Sequence, residues 1–411
     1  MTKRNNKADI IEDIKAPEDR GELISLIEPL CIAETAHSRT QLNDLALTLV
    51  AKNAGLRQSL PYKLIPALAS LVRGMNCYYS NLIEGHDTHP IDIERALKND
   101  YSSDIEKRNL QLEAKAHINV QEWIDNGGLK DRVATTDSIL EIHRKFYELL
   151  PDELLWVEDP ENKARNRVTP GKLRNRDVRV GRHVPVSPGA VLRFLKKFEQ
   201  VYQNLGLTET IINTAAAHHR LLWIHPFLDG NGRVARLFSH AMLMNVMDSG
   251  GLWSISRGLA RNEQRYKELL INCDLSRRND LDGRGNLSEE ALVEFTRFFL
   301  ETCLDQVNFM ANLIQPERLQ GRILSWVEDQ NLPEKSGRLL AAIIYKGGEI
   351  TRKEAAEILD LGERQTRRIL LLLTKEEVLI SESLRSPLQL NFPARLAGQW
   401  LPGLFPEPST G

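Results

Sequence analysis

The sequence lacks the marks of a membrane or secreted protein. No run of about 18 apolar residues occurs, so we expect no membrane span and no membrane partner. The N-terminal residues MTKRNNK lead into charged sequence instead of an apolar signal segment. The cysteines lie far apart without C-x-x-C spacing, which argues against a zinc site or a disulfide framework. They are Cys31, Cys77, Cys273 and Cys303. We therefore predict a cytoplasmic protein.

A large net charge is also missing. The chain has 54 Lys and Arg against 56 Asp and Glu, a net charge of −2. There is thus no global electrostatic attraction to nucleic acid. The 42% of hydrophobic and 27% of charged residues are typical of globular proteins. A chain of 411 residues exceeds one typical domain, so we expect two or three.

Residues that can take part in catalysis or ligand binding are concentrated in the segment 225–236, with the sequence HPFLDGNGRVAR. A Gly-Asn-Gly turn can present successive backbone N–H groups to an anion, and a helix that starts there adds the positive end of its dipole. Arg233 and Arg236 are three residues apart, so they share a face of that helix. The pattern indicates a polyphosphate site. Its turn consists of Gly230, Asn231 and Gly232.

Two further residues of this segment supply reactive groups. Asp229 can hold Mg²⁺ beside bound phosphates, because hard cations take carboxylate oxygen. His225 is the only group here that titrates near pH 7, so it is the candidate general base. The less specific alternative is a helix-capping loop with surface arginines.

The segment matches the Fic family motif H-P-F-x-[D/E]-G-N-G-R-x-x-R at every fixed position, and the chain resembles that family. The resemblance implies transfer of AMP from ATP to a Tyr, Thr or Ser hydroxyl of a target protein. It makes His225 the base and Asp229 the holder of Mg²⁺, with Mn²⁺ as an alternative. The turn cradles phosphate oxygens, and Arg233 and Arg236 neutralise the pyrophosphate and the γ-phosphate. Self-modification is a further expectation.

Residues 178–184, with the sequence VRVGRHV, alternate apolar and polar side chains, which predicts a short strand or hairpin. A solvated basic loop is the alternative. In the Fic family a β-hairpin flap lies here against the active site and docks the target segment by strand pairing, which demands no particular side-chain sequence. The resemblance places four residues at the flap tip, and we count them with the nucleotide-binding residues. They are Val180, Gly181, Arg182 and His183.

The resemblance also places Tyr266 where the family has a tyrosine that lines the base and ribose of the nucleotide. An ordinary core or surface tyrosine is the alternative. We do not interpret His218 and His219 as metal ligands, because adjacent residues do not share a helix face. We expect packing or surface roles for both.

The segment 80–85, SNLIEG, fits the Fic autoinhibition motif [S/T]-x-x-x-E-[G/N]. It lies far ahead of the catalytic motif, which resembles the group with an N-terminal inhibitory helix. If Glu84 reaches Arg236, the two form a charge-assisted pair, and the γ-phosphate loses its favourable binding position. Ser80 and Glu84 are therefore the predicted regulatory residues. An ordinary helix end at Gly85 is the alternative.

Residues 332–392 have the pattern helix, helix, turn, helix and two short strands, which resembles a winged helix-turn-helix. Arg364, Arg367 and Arg368 can contact phosphates or bases of DNA. A winged helix that docks a protein or forms a homodimer fits equally well, because the module also carries acidic residues.

We predict an all-α fold with one small β-hairpin flap and a C-terminal winged helix. The predicted domains are an N-terminal helical region with the inhibitory motif (1–115), a Fic catalytic core (116–305) and a winged-helix-like domain (306–411). Two other functions stay open. One is removal of AMP, or transfer of another phosphate-containing group, by the same site. The other is a DNA-binding regulator whose core senses nucleotide. Intact His225 and Asp229 favour catalysis.

Overall fold

The computed structural model describes residues 17–158, 163–383 and 385–406, and these residues are mostly helical. This confirms the predicted fold class. The α-helices are α1 (Arg39–Gln58), α2 (Ile65–Ile83), α3 (Pro90–Leu97), α4 (Ile105–Asp125), α5 (Thr136–Tyr147), α6 (Val191–Tyr202), α7 (Leu207–Ile224), α8 (Asn231–Val246), α9 (Ser256–Arg261), α10 (Glu263–Asn272), α11 (Glu289–Leu313), α12 (Pro316–Asp329), α13 (Glu334–Tyr345), α14 (Arg352–Leu359), α15 (Glu363–Lys375) and α16 (Ala397–Trp400). Short 3-10 turns span Ile24–Ile27, Asp152–Leu155 and Ala394–Leu396.

Local sequence signals explain where several helices begin. The side chain of Asp104 accepts a hydrogen bond from a backbone N–H in the first turn of α4, and Thr135 does the same for α5. These caps satisfy donors that the helix itself leaves unpaired. Thr351 and Glu354 form a reciprocal capping box at the start of α14.

The helical hairpin of α7 and α8 forms a central part of the helical core. These two helices pack against each other, and α11 packs against both α7 and α1. Buried aromatic side chains fill the space around them. These are Phe194, Phe198, Phe238, Phe295 and Phe299. Helix α2 packs against α4 and α9, so the segment with the predicted inhibitory motif lies against this core.

Two of the predicted domain boundaries fall inside continuous helices. Helix α4 runs through the boundary between residues 115 and 116, and α11 runs through the boundary between 305 and 306. A cut at either place would interrupt a helix. The N-terminal and C-terminal regions therefore share elements with the core.

The strands are few and short. Strands β1 (Trp156–Glu158) and β2 (Arg165–Arg167) form an antiparallel hairpin that the sequence pattern did not predict. The hairpin predicted at 178–184 is present as one antiparallel bridge between Val180 and His183. A three-stranded antiparallel sheet has the order β3-β5-β4. Its strands are β3 (Glu349–Ile350), β4 (Leu379–Ile380) and β5 (Leu388–Leu390).

The C-terminal module combines α13, α14 and α15 with this sheet. Asp360 adopts a left-handed conformation with φ of 46° and turns the chain between α14 and α15. The predicted strands at 378–380 and 388–390 match β4 and β5. The assignment as a winged helix stays a prediction. The module also contacts the N-terminal helices, with ion pairs from Lys98 to Glu377 at 2.7 Å and from Lys63 to Glu349.

None of the helices within the described ranges is both long and apolar enough to cross a membrane.

Candidate active site

The loop between α7 and α8 is built by two left-handed residues. His225 caps the C-terminus of α7 with φ of 51° and ψ of 63°, and Gly230 precedes α8 with φ of 78°. A Cβ atom on Gly230 would also lie only 2.7 Å from the hydroxyl of Tyr147. Both the backbone angle and the space therefore require glycine there. Within the described residues no side chain caps the start of α8, so its first N–H groups remain available to an anion.

Asn231 closes this loop from inside. Its Oδ1 accepts a hydrogen bond from the Phe227 N–H at 3.0 Å, and its Nδ2 donates to the Phe227 carbonyl at 2.9 Å. The side chain is buried and fully engaged, so only the backbone of Asn231 can meet a phosphate. A Cβ atom on Gly232 would lie 2.4 Å from Oε1 of Glu84, so this glycine makes room for the glutamate.

His225 is set up as a neutral base. Burial, together with the positive charge of Arg174, lowers the pKa of its imidazole to about 4. The ring is therefore unprotonated at neutral pH and can accept a proton. Its Nδ1 is buried and has no hydrogen bond of standard geometry within the described part of the chain. The other nitrogen, Nε2, is thus the one left to act on a substrate.

Asp229 provides a carboxylate that fits a hard cation. Its Oδ2 accepts a hydrogen bond of 2.6 Å from the hydroxyl of Tyr147. No hydrogen bond to Oδ1 is found among the described residues. Since Mg²⁺ is commonly held by one or two carboxylates together with substrate phosphates, a single oriented carboxylate beside an anion-binding helix start fits this ion. Tyr147 itself is stacked on His143, which stacks on Phe227.

The two arginines of α8 are both buried and both paired with glutamates. Arg236 donates to Oε1 of Glu84 at 2.5 Å, and to the hydroxyl and carbonyl of Ser80 at 2.9 and 3.2 Å. Arg233 donates to Oε2 of Glu113 at 2.6 Å. Only 3% of Arg236 and 6% of Arg233 is exposed. In this state a carboxylate occupies the Nη2 atom of each guanidinium.

Glu84 occupies the C-cap of α2, one turn after the buried Ser80. Burial alone would raise the pKa of the Glu84 carboxyl, but the adjacent Arg236 lowers it overall. The glutamate is therefore ionised at neutral pH, as a charge-assisted pair requires. The contact between Glu84 and Arg236 that the motif predicted is present. Its inhibitory effect stays a prediction.

Sequence reasoning missed Glu113, His86 and Tyr147. Glu113 lies on α4 and bridges Arg233 and His86, whose Nδ1 is 3.3 Å from the carboxylate. The hydrogen bond to Glu113 raises the pKa of His86. No spacing in the sequence links these residues to the motif, because α4 and α5 reach the loop only through tertiary packing. Neither helix caps nor hydrophobic periodicity indicates that these three residues lie near the loop.

The flap residues form a tight turn next to the end of α7. The backbone N–H groups of Val180 and His183 each donate to the carbonyl of the other, at 3.0 and 2.9 Å. Nε2 of His183 lies 2.7 Å from the carbonyl of Trp223, two residues before His225. Gly181 has φ of 59°, and Arg182 is exposed. The turn thus lies beside the base, and its role in binding stays a prediction.

Tyr266 lies in the core and not on an open surface. Its hydroxyl is 2.7 Å from Nε2 of His218, whose Nδ1 contacts the hydroxyl of Ser239 at 2.9 Å. Burial raises the pKa of Tyr266 to about 12. His219 contacts Asp274 at 3.1 Å. Both histidines are buried and engaged with side chains; the proposed contact of Tyr266 with a nucleotide stays a prediction.

A buried imidazole, an oriented carboxylate and two arginines thus surround the start of α8, an arrangement that suits phosphates. Residues 133–243 of the chain match the Fic/DOC family. This segment of the chain is therefore a domain of the Fic/DOC type.

Curated relatives include the protein adenylyltransferase Fic of Drosophila yakuba, 37% identical over 115 residues, and that of Drosophila melanogaster, 36% identical over 115 residues. Each match covers 27% of this chain and 20% of the relative. The chain therefore spans only a fifth of the length of these relatives.

Matching solved structures include a Fic family protein from Desulfovibrio desulfuricans G20, with a TM-score of 0.48 and 16% identity over 84% of this chain and 96% of that one. A Fic domain containing signaling protein from Bacteroides thetaiotaomicron has a TM-score of 0.49 and 20% identity over 65% of this chain and 95% of that one.

Proposed function

We propose that this chain is a protein adenylyltransferase, which moves AMP from ATP to a hydroxyl group of a target protein. The observation that carries the proposal is the loop between α7 and α8. It holds an unprotonated imidazole, a carboxylate and an open helix start within a few residues. These groups suit a general base, a divalent cation and phosphate oxygens. The Drosophila relatives are protein adenylyltransferases, which supports the same chemistry here.

In the proposed reaction, His225 takes the proton from the acceptor hydroxyl through Nε2. The hydroxyl oxygen forms a bond to the α-phosphorus of ATP, the bond from that phosphorus to the bridging oxygen breaks, and pyrophosphate leaves. The N–H groups at the start of α8 hold phosphate oxygens. Arg233 and Arg236 neutralise the pyrophosphate and the γ-phosphate. Positioning and charge stabilisation supply most of the rate, as is general in phosphoryl transfer.

Asp229 would hold Mg²⁺, or Mn²⁺ in its place, and the hydrogen bond from Tyr147 would keep the carboxylate oriented. When bound, the ion neutralises charge on the phosphates.

Glu84 holds this site in an inhibited state. Arg236 is the residue proposed to bind the γ-phosphate, and its Nη2 is 2.5 Å from the glutamate carboxylate. A γ-phosphate placed there would meet a second negative charge, so ATP binds in a pose that does not present its α-phosphorus to the acceptor. Arg233 is occupied in the same way by Glu113.

Incubation of a lysate with labelled ATP and the Glu84→Gly variant, followed by mass spectrometry, tests the proposed function. We expect an added AMP on a Tyr, Thr or Ser of one or a few proteins, this chain included. If only another phosphate-containing group is found, the site transfers that group instead. If AMP already on a target disappears in the presence of the wild type and persists with Glu84→Gly, the reaction is AMP removal assisted by Glu84.

We expect Asp229→Ala to abolish metal-dependent transfer in the Glu84→Gly background, because no other carboxylate belongs to the loop. Excess EDTA should have the same effect on the parent. Asp274→Ala is a matched control, since Asp274 contacts His219 behind the loop. Transfer that proceeds equally well in EDTA would contradict the metal assignment.

A second function, DNA binding by the C-terminal module, is favoured by the outer face of α15. Arg364, Arg367 and Arg368 are exposed, and none forms an ion pair with another residue in the described part of the chain. Several other exposed arginines do have carboxylate partners, such as Arg20 with Asp177. Arginines clustered on one helix, with guanidinium groups that are not paired to carboxylates, can contact the phosphates and bases of DNA.

For this function we expect Arg367→Ala and Arg368→Ala to weaken binding of duplex DNA by the full chain, and to lower its salt dependence. Removal of one phosphate-binding side chain reduces the slope of log affinity against log salt by about one unit. Arg338→Ala, an exposed arginine on α13, serves as the control. If the full chain retains no duplex at low salt, the module docks a protein or a second copy of this chain.

A further inference from the structure

Arg174 is a buried arginine that the proposed reaction does not yet use. It lies between β2 and the flap, and only 2% of it is exposed. It forms no ion pair with any carboxylate in the described residues. An arginine this deeply buried is stable only when its donors are all engaged, since an unsatisfied buried guanidinium is strongly unfavourable.

The donors of Arg174 are engaged by backbone carbonyls from three places. Nε donates to the carbonyl of His225 at 2.8 Å, and Nη1 donates to the carbonyl of Arg176 at 3.0 Å. Nη2 donates to the carbonyl of Val186. The backbone N–H of Arg174 also donates to the carbonyl of Pro226 at 2.9 Å. One rigid guanidinium fork thus joins the base to both ends of the flap.

The conformation of His225 explains why such a clamp is needed. A left-handed backbone is unfavourable for a residue with a Cβ atom, and His225 holds one with φ of 51°. Its backbone N–H donates to the carbonyl of Leu221 at 3.1 Å, and its carbonyl accepts from Nε of Arg174 at 2.8 Å. Arg174 is therefore the side chain that holds the carbonyl side of the base.

We propose that Arg174 is a positioning residue for AMP transfer: it fixes the carbonyl of the base and both ends of the flap in one arrangement, so that Nε2 of His225 meets an acceptor hydroxyl docked on the flap. This inference rests on the proposed function. Placement of the acceptor then depends on Arg174 and the flap, whereas ATP binds at the other end of the loop.

A second set of contacts keeps the flap attached from the outside. Arg20 donates two hydrogen bonds to Asp177, at 2.8 and 3.0 Å, and Glu22 accepts hydrogen bonds from the N–H and hydroxyl of Ser187, both at 2.7 Å. The two ends of the flap are thus tethered without Arg174. We therefore expect a substitution at Arg174 to loosen the geometry of the site without releasing the segment.

The test compares Arg174→Lys and Arg174→Met in the Glu84→Gly background. Lysine keeps the charge but cannot reach three carbonyls with a planar fork. We expect both variants to lose transfer by up to about 100-fold in kcat, the effect of a small misplacement of reacting groups. Affinity for ATP, measured by calorimetry, should stay close to that of the parent. If the methionine variant does not fold, the lysine variant alone tests the positioning role of Arg174.

Arg220→Met is the matched control. Arg220 is also fully buried and also donates to backbone carbonyls, those of Pro29 and Cys273, but it lies on α7 away from the flap. Its loss should lower the melting temperature and leave kcat near that of the parent. If Arg174→Lys keeps the kcat of the parent, or if Arg220→Met loses as much as Arg174→Met, Arg174 is merely structural and the proposal is overturned.

A readout that needs no transfer activity distinguishes this failure from failure of the proposed function. The charges that act on the His225 ring are those of Arg174, His183 and Asp229. Nuclear magnetic resonance of labelled histidine should therefore find a higher pKa for His225 in Arg174→Met, and an unchanged one in Arg220→Met. If Glu84→Gly transfers nothing, the proposed function fails, while an unchanged pKa of His225 in Arg174→Met would independently mean that Arg174 does not act on the base.

Discussion

Glu84→Gly is expected to raise AMP transfer by more than a hundredfold. The substitution removes the carboxylate 2.5 Å from Arg236 and frees the guanidinium for the γ-phosphate of ATP. A difference of about 3 kcal/mol between the two ATP poses corresponds to more than two powers of ten in the productive population, at about 1.4 kcal/mol per tenfold. Self-modification with labelled ATP, faint in the wild type, should become easy to detect.

The chain contains a closely matched control for this substitution. Glu376 is the C-cap of α15 with φ of −76° and ψ of 3°, and Glu84 is the C-cap of α2 with φ of −81° and ψ of −1°. Glu376 also pairs with an arginine, Arg395, at 2.9 Å. Glu376→Gly therefore makes the same change at the same kind of helix end, far from the loop, and should leave labelling unchanged.

The double variant Glu84→Gly with His225→Ala should give no labelling. This result would distinguish relief of inhibition from nonspecific labelling. Equal labelling by Glu84→Gly and the wild type would mean that the glutamate is not an inhibitor. Ser80 to Gly85 would then be an ordinary helix end.

The form of the loop between α7 and α8 was predictable because its sequence signals are local. His225, Asp229 and the Gly-Asn-Gly turn lie within a few residues, so the helix start, the anion site and the shared face of Arg233 and Arg236 follow from spacing alone. The contact between Glu84 and Arg236 joins residues far apart in the chain. It was predictable only through the resemblance, because periodicity carries no information about which distant helix packs on α8.

The residues that hold the loop in shape were not predictable. Tyr147, Glu113 and Arg174 come from α5, α4 and the segment before the flap, and each reaches the loop through tertiary packing. A buried arginine that binds only carbonyls has no sequence signature, because backbone acceptors belong to every residue. Likewise β1 and β2 are too short for alternation to stand out from the surrounding loop.

The side chain of Asn231 is another case in which the sequence suggested the place but not the role. The turn was expected to cradle phosphate, yet the side-chain amide of Asn231 forms its hydrogen bonds with the N–H and carbonyl of Phe227. Buried polar groups need partners, and the loop itself supplies both. The predicted phosphate site would therefore depend on backbone N–H groups, whose direction the amide helps to fix.

His225→Ala is expected to reduce transfer by about 10²–10⁴-fold, the usual cost of losing a general base. Affinity for ATP should change little, because the base acts on the acceptor hydroxyl and not on the nucleotide. Calorimetry for ATP affinity and labelled-ATP transfer, both in the Glu84→Gly background, measure the two quantities separately.

His225→Asn provides the sharper version of this experiment. Position 225 has a left-handed backbone, which asparagine tolerates better than alanine does. The asparagine variant therefore removes the base while keeping the turn between α7 and α8. We expect both variants to be equally inactive. If His225→Asn retains transfer near the rate of the parent, the imidazole is not the base; if it retains transfer while His225→Ala does not, the residue serves mainly to shape the loop.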